Sequence, residues 1–244
     1  MLRRFAAALL LAACSVPHDA ALASGTAYGV DTSEVSEAGS CKVEAWVSRA
    51  SNKDLVVTTN PACVADLGRV VEFSAQITRA SADDEWSTSV APKMKIKLLP
   101  TSIGNFGLAM ATGLNVDART GDVSTAFAYA PATLRLSEVT RINLNAGWTW
   151  DRDLNRNLVT YGAGFDWKMT STLILTLETF GQYVDGPYGA ATRPRFQAGV
   201  RYRPVDTLSF DVIWGRNING EDANWITFAT TIRFPADANS KVPF

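Results

Sequence analysis

From residue 41 onward apolar and polar residues alternate with a period of two, and no stretch sustains the 3.6-residue period of an amphipathic helix. The clearest run is 141–151, where Ile142, Leu144, Ala146, Trp148 and Trp150 share one face and Asn143, Asn145, Gly147 and Thr149 the other. In 158–167, Val159, Tyr161, Ala163, Phe165 and Trp167 alternate with Thr160, Gly162, Gly164 and Asp166. Further on, Phe196, Ala198, Val200 and Tyr202 oppose Arg195, Gln197, Gly199, Arg201 and Arg203, and Leu208, Phe210, Val212 and Trp214 oppose Ser209, Asp211 and Gly215. Earlier segments are noisier: Val71, Phe73, Ala75 and Ile77 oppose Glu72, Ser74 and Gln76, while Met94, Ile96 and Leu98 oppose Lys93, Lys95 and Lys97. Counting hairpins predicts about twelve strands, near 41–50, 54–60, 68–80, 86–99, 103–113, 123–135, 139–151, 157–168, 172–183, 193–204, 207–216 and 224–234. The second is short, and Pro131 interrupts the sixth.

Alternation alone fits a soluble barrel with an apolar interior and a membrane barrel with an apolar exterior. Three features select the second. Met1 to Arg4 is cationic and Phe5 to Ala13 is an apolar run too short to span a bilayer as a helix, which together read as an export signal. Several strands reach about ten residues, enough to cross a bilayer when tilted. Finally, Trp86, Trp148, Trp150, Tyr161, Trp214 and Trp225 fall near one end of their strands and Trp167, Tyr202, Phe210 and Phe234 near the other, as two interfacial belts would.

The expected fold is therefore an all-β, transmembrane, up-and-down antiparallel barrel in the outer membrane of a Gram-negative cell. It comprises a signal peptide (1–23), a periplasmic lead-in (24–40), the barrel (41–234) and a C-terminal tail (235–244). The outer connections, such as 114–122, 184–193 and 217–223, are expected to be longer than the inner turns 136–138, 169–171 and 204–206. Two cleavage sites compete. Ala21-Leu22-Ala23 before Ser24 suits the ordinary signal peptidase, and Leu11-Ala12-Ala13-Cys14 has the form of a lipoprotein signal but leaves an unusually short leader.

Composition narrows the chemistry. With 47% hydrophobic and 19% charged residues and a formal net charge of −1, nothing marks a nucleic-acid surface. Either cleavage takes Cys14 out of the thiol count, by lipidation or by removal, and leaves Cys41 and Cys63, which a hairpin brings to the same end and which an oxidising compartment would join as a disulfide. The single histidine, His18, precedes Ser24, so cleavage there leaves no imidazole for a serine hydrolase or a zinc or copper site. No catalytic residue, metal site or cofactor is expected. The Gly162-x-Gly164 spacing lies within a strand and makes room for interior side chains. The last strand, Trp225 to Phe234, resembles the terminal strand read by the barrel assembly machinery, although residues follow it and Phe244 offers a second terminal aromatic.

Leu144-Asn145-Ala146-Gly147-Trp148, Asp151-Arg152-Asp153, Thr160-Tyr161-Gly162-Ala163-Gly164 and Phe196-Gln197-Ala198-Gly199-Val200-Arg201-Tyr202 resemble the second half of outer-membrane proteins grouped with the phenol-degradation meta-pathway family. The resemblance covers 139–234 well and the first half loosely. It implies a barrel and a part in uptake of small solutes, aromatic ones among them, and it carries no set of functional residues.

The predicted register sends Lys93, Lys95, Lys97, Arg141, Arg195, Arg201, Arg203 and Arg233 into the lumen against Glu72, Asp166, Glu178 and Asp211. These would line a pore with a positive excess. The leading expectation is a narrow channel or facilitator for small anionic or aromatic solutes, with outer-membrane lipid as the surrounding partner. The alternative is a closed barrel whose charges knit together without transport.

Overall fold

The computed structural model describes residues 27–82, 85–152, 155–184, 191–192, 194–218 and 223–236. The strands are β1 (Cys41–Ala50), β2 (Leu55–Asp66), β3 (Val70–Ala82), β4 (Glu85–Leu99), β5 (Phe106–Asp117), β6 (Val123–Arg135), β7 (Thr140–Asp151), β8 (Arg156–Lys168), β9 (Leu173–Val184), β10 (Arg195–Val205), β11 (Leu208–Asn217) and β12 (Asn224–Phe234). A further two-residue piece, Ala191–Thr192, pairs with Val184 and Tyr183 at the outer end of β9. Each strand pairs antiparallel with its neighbours in sequence, and β1 pairs with β12 from Cys41↔Phe234 to Ala50↔Trp225, so the sheet closes on itself. Closure leaves no strand edge, which is the condition for sheet structure to survive in hydrocarbon.

Burial is inverted relative to a water-soluble protein. On β7, Asn143 is 1% exposed and its neighbour Leu144 52%; on β11, Asp211 is 3% exposed and Val212 52%. Glu44, Glu72, Lys95, Arg141, Asp166, Glu178, Arg201 and Arg233 are all buried, while Phe73, Met110, Trp148, Val200, Phe210, Trp214 and Phe228 stand outside. Such an exterior is stable only against lipid. The alternation predicted from sequence is therefore realised with its apolar side outward.

Three strands carry a proline in mid-course, and each ladder adapts in the same way. Pro61 pairs with Val43 of β1, but the β2–β3 ladder skips from Thr59 to Ala62. Pro92 pairs with Ala75 of β3 while β4–β5 skips from Val90 to Lys93, and Pro131 pairs with Asn145 of β7 while β5–β6 skips from Leu108 to Ala111. A residue without N–H can sit in a closed sheet only where one neighbour does not need its donor. Pro131 thus leaves β6 intact over the expected 123–135. Pro61 likewise fails to end β2, which runs to Asp66 rather than 60.

That extension places Cys63 within β2, directly opposite Cys41, with 4.0 Å between the Cα atoms and the expected disulfide formed. Its flanking register partners, Phe234 and Phe73, are exposed on the outer face of the barrel at the end that carries both barrel termini, here the inner end.

Two further expectations change. The outer connection 118–122 is shorter than the expected 114–122 because β5 continues to Asp117, and the inner turn 100–105 is longer than it, while 185–194 is longer than any inner turn. Trp225, expected in the outer aromatic belt, has its indole over the inward-facing Gly215 instead.

The outward assignment of Val212 predicts that Val212→Arg lowers unfolding free energy in lipid vesicles by about 2–4 kcal/mol, because a midplane arginine must leave water for hydrocarbon. Urea titration of the folded, vesicle-inserted protein measures this, and an unchanged midpoint would place that face against something other than lipid.

Candidate functional site

The stretch expected to lie in the periplasm as a lead-in runs instead through the barrel. Gly39 donates to the Val64 carbonyl and Val64 to that of Ser40 at the inner end, and from there residues 27–38 rise into the lumen, where Val30, Thr32 and Ser33 have 0–1% exposure. This segment has no regular secondary structure, so its buried backbone groups need side-chain partners. The barrel supplies them. Glu178 accepts from the amides of Gly29 (2.9 Å) and Val30 (3.3 Å), Thr133 Oγ1 accepts from the Ser33 amide (2.9 Å), and Asn145 Nδ2 donates to the Asp31 carbonyl (3.3 Å).

Small residues on the inward face give the segment its room. Val30 lies over Gly162 and Gly164, Tyr28 over Gly199, and Ser33 beside Gly107, and a Cβ at 162, 199 or 107 would crowd the segment. The space read from Gly162-x-Gly164 holds Val30 of this segment as well as the neighbouring wall side chains Glu178, Phe180 and Asn145. Gly29 in turn sits against the ring of Phe180.

Of the residues expected in the lumen, Glu72, Lys95, Arg141, Asp166, Glu178, Arg201, Arg203, Asp211 and Arg233 are buried, and the structure sorts them into groups. Arg141 pairs with Asp166 (2.6 Å), which also accepts from Asn143 (2.8 Å) and Thr176 (2.6 Å). Arg201 pairs with Asp211 (2.7 Å) and lies 5.4 Å from the ring centre of Tyr28, whose hydroxyl also donates to Asp211 (3.2 Å). Arg233 donates to Ser209 (3.3 Å) and Arg203 is buried on the same inner half; Glu178 caps the segment. Lys97 is half-buried toward the inner end of β4, and Arg195 stands exposed at the outer mouth. Glu72 is held by Lys42 (3.2 Å), which also lies 3.9 Å from Glu44.

Lys93 and Lys95 turn to the segment. Asp31 accepts from Lys95 Nζ (2.9 Å) and Tyr129 OH (2.8 Å), with Lys93 Nζ at 4.0 Å and itself 3.4 Å from the Tyr129 hydroxyl. Burial alone would raise the Asp31 carboxyl, but the two ammonium groups and the hydrogen bonds outweigh it and hold the group well below the ordinary carboxylate range.

Sequence reasoning missed Lys42, Glu44, Tyr129, Tyr28 and Asp31. The alternation of Lys42 and Glu44 with Val43, Ala45 and Val47 could have placed the first two. No period marks Tyr28 or Asp31, because their partners are distant in the chain.

Above the segment, at mid-barrel and toward the outer mouth, lies a cavity of about 350 Å³. Tyr28, Gly29 and Asp31 form part of its wall together with Lys93, Arg195, Gln76, Asn145, Gln182, Phe127, Tyr129 and Phe180. It combines cations, amides and aromatic rings, and the inner half of the lumen beneath is filled by the segment and the ion pairs.

A closed antiparallel barrel with an apolar exterior and a charged lumen defines an outer-membrane β-barrel. The chain belongs to the family described as Uncharacterised conserved protein UCP029691, whose profile matches residues 12–234. No curated protein matches it in sequence. Among solved structures it resembles the COG4313 outer membrane channel from Pseudomonas putida F1 (TM-score 0.63, 13% identity, 82% of this chain and 97% of that one). It also resembles the KdgM porin in complex with disordered oligogalacturonate (TM-score 0.61, 9% identity, 80% and 99%) and the NanC porin (TM-score 0.62, 8% identity, 78% and 98%). At these identities the likeness is one of fold.

Removing Asp31 strands two ammonium groups in the wall, which costs about 3–5 kcal/mol for a buried pair broken on one side. Asp31→Ala is therefore expected to loosen the segment and speed Glu-C cleavage at the buried Glu34 by about a hundredfold or more while the barrel remains folded. Mass analysis of the clipped protein reads this out, and equal cleavage of variant and parent would dissociate Asp31 from docking.

Proposed function

We propose that this protein is a narrow outer-membrane channel or facilitator for small solutes that carry a negative charge on a compact, ring-bearing skeleton. The observation that carries this reading is the roughly 350 Å³ cavity, where Lys93 and Arg195 stand beside Phe127, Tyr129 and Phe180. Cations raise the local concentration of anions, and flat rings favour unsaturated or aromatic solutes over sugars of the same size. The resemblance of 139–234 to proteins grouped with the phenol-degradation meta-pathway family supports the aromatic part. Similarity of fold to the KdgM and NanC porins and to the COG4313 channel supports transport as the class of activity. Arg195, Lys93 and Lys95 would line the outer part of the path. Arg141, Arg201, Arg203, Arg233, Glu72, Asp166, Glu178, Asp211 and Lys97 would line the inner part once the segment yields.

Export and assembly complete the reading. Residues 1–23 act as a signal peptide and 235–244 as a tail. β12, with Ile226, Phe228, Ile232 and Phe234 outward, is the strand presented to the barrel assembly machinery. Nothing in this reading requires catalysis.

Planar-bilayer recording of the purified protein is expected to give small, anion-preferring conductance steps that grow when residues 24–36 are deleted. Arg195→Glu, at the exposed mouth, should reduce the anion preference several-fold in reversal-potential measurements. A barrel silent with and without 24–36, and impermeable to benzoate in liposome swelling, would leave the closed structural barrel as the reading.

A further inference from the structure

We propose that Lys93, Lys95 and Tyr129 form a binding site for the carboxylate of a small aromatic acid, and that Asp31 occupies this site as a resident stand-in. The inference rests on the channel reading for its physiological sense, while the site itself is argued from geometry.

The first argument is convergence. Three donors from β4 and β6, strands that are not neighbours, meet on one carboxylate: Lys95 Nζ at 2.9 Å, Tyr129 OH at 2.8 Å and Lys93 Nζ at 4.0 Å. The strand between them keeps out of the way. In register, Lys95, Ala111 and Tyr129 form one row across β4, β5 and β6, and Lys93, Gly113 and Phe127 form the next. The small middle residues make a trough with donors on both banks. The second row adds an aromatic wall, since Phe127 folds over Gly113 and lies 6.2 Å from Tyr129, centre to centre, at 32°. A carboxylate on the first row would set an attached ring beside Phe127, within the cavity that Asp31, Phe127 and Tyr129 all border.

The second argument is how the other lumenal charges are balanced. Arg141 and Asp166 are register partners on β7 and β8, and Arg201 and Asp211 on β10 and β11, so those acids belong to the wall and cannot leave. Lys95 also has a cross-strand acid, Glu72, yet Glu72 is drawn 3.2 Å from Lys42 on the other side. The carboxylate paired with Lys93 and Lys95 therefore comes from the segment, which can be withdrawn without breaking a strand ladder. A wall that keeps two cations for a removable acid is built to exchange it.

Titration calorimetry on the full-length protein in detergent tests this with benzoate as the probe and benzamide as its uncharged twin. Asp31→Asn keeps the shape of the segment and removes its charge. It is expected to bind benzoate at least about tenfold more tightly than the parent, since an internal competitor lowers apparent affinity by the fraction of site it occupies. Adding Lys95→Gln to Asp31→Asn should abolish that gain, and benzamide should not distinguish the proteins. A measurement on the parent protein guards against misfolding of the variants: saturating benzoate, but not benzamide, should speed Glu-C cleavage at Glu34. Equal benzoate affinity in parent and Asp31→Asn, indifference to Lys95→Gln, or benzoate-independent cleavage would each overturn the proposal. Binding is read without flux, so a protein that binds benzoate yet stays silent in bilayers keeps this site and loses the channel. One that conducts without the Asp31→Asn gain does the reverse.

Discussion

The ladder between β1 and β12 is the interaction on which the rest of the molecule depends. In hydrocarbon an unpaired backbone amide or carbonyl costs several kcal/mol, and an open sheet would present a whole row of them. Ten register pairs from Cys41↔Phe234 to Ala50↔Trp225 remove that row. Once the backbone is satisfied sideways, each side chain is free to follow its own solvent, so Leu144 and Val212 go to lipid while Asn143 and Asp211 go inside. At the three mid-strand prolines the sheet gives up the ladder to one neighbour and keeps the other.

Placing charge inside a ring of strands creates a second requirement. A buried ammonium or carboxylate is tolerated when paired and hydrogen-bonded, and is costly otherwise. Two of the pairs are solved locally, by an acid and a base at the same register on adjacent strands. β4 is different: its inward residues are lysines, and its neighbour β5 offers Ala109, Ala111 and Gly113 at the facing positions. The N-terminal segment resolves both problems together. Its Asp31 supplies the missing charge, and its backbone fills the space that inward glycines and alanines leave open.

This division explains what could be read from the sequence. Strand register and facing were legible because a period of two is a local signal, and one apolar face fixes the parity of a whole strand. Hence Arg141, Asp166, Arg201 and Asp211 were placed inward before their partners were known. β2 was read short, near 54–60, whereas it runs through Pro61 to Asp66 and stays paired with β1 as far as Cys41. The segment was illegible for a different reason. Residues 27–40 show no period, and many of their partners lie far along the chain, such as Lys95, Thr133, Glu178 and Asp211. A hint existed in the inward glycines Gly162 and Gly199, which Val30 and Tyr28 overlie, but glycine alone does not say what fills the space it leaves.

The manner in which the segment is held also constrains how it can move. An apolar plug would be fixed by burial, and its release would expose greasy surface to a water-filled lumen. Asp31 is held instead by charge-assisted hydrogen bonds to Lys95 and Tyr129, in surroundings that are themselves polar. A buried ion pair contributes little net stability compared with a well-matched replacement, yet breaking it on one side is expensive. Opening onto an empty lysine pair is therefore disfavoured, whereas exchange for another carboxylate is close to neutral. A latch with those energetics resists spontaneous opening and yields to an anion that can take its place, which joins the charge balance of the wall to the selectivity of the path through it.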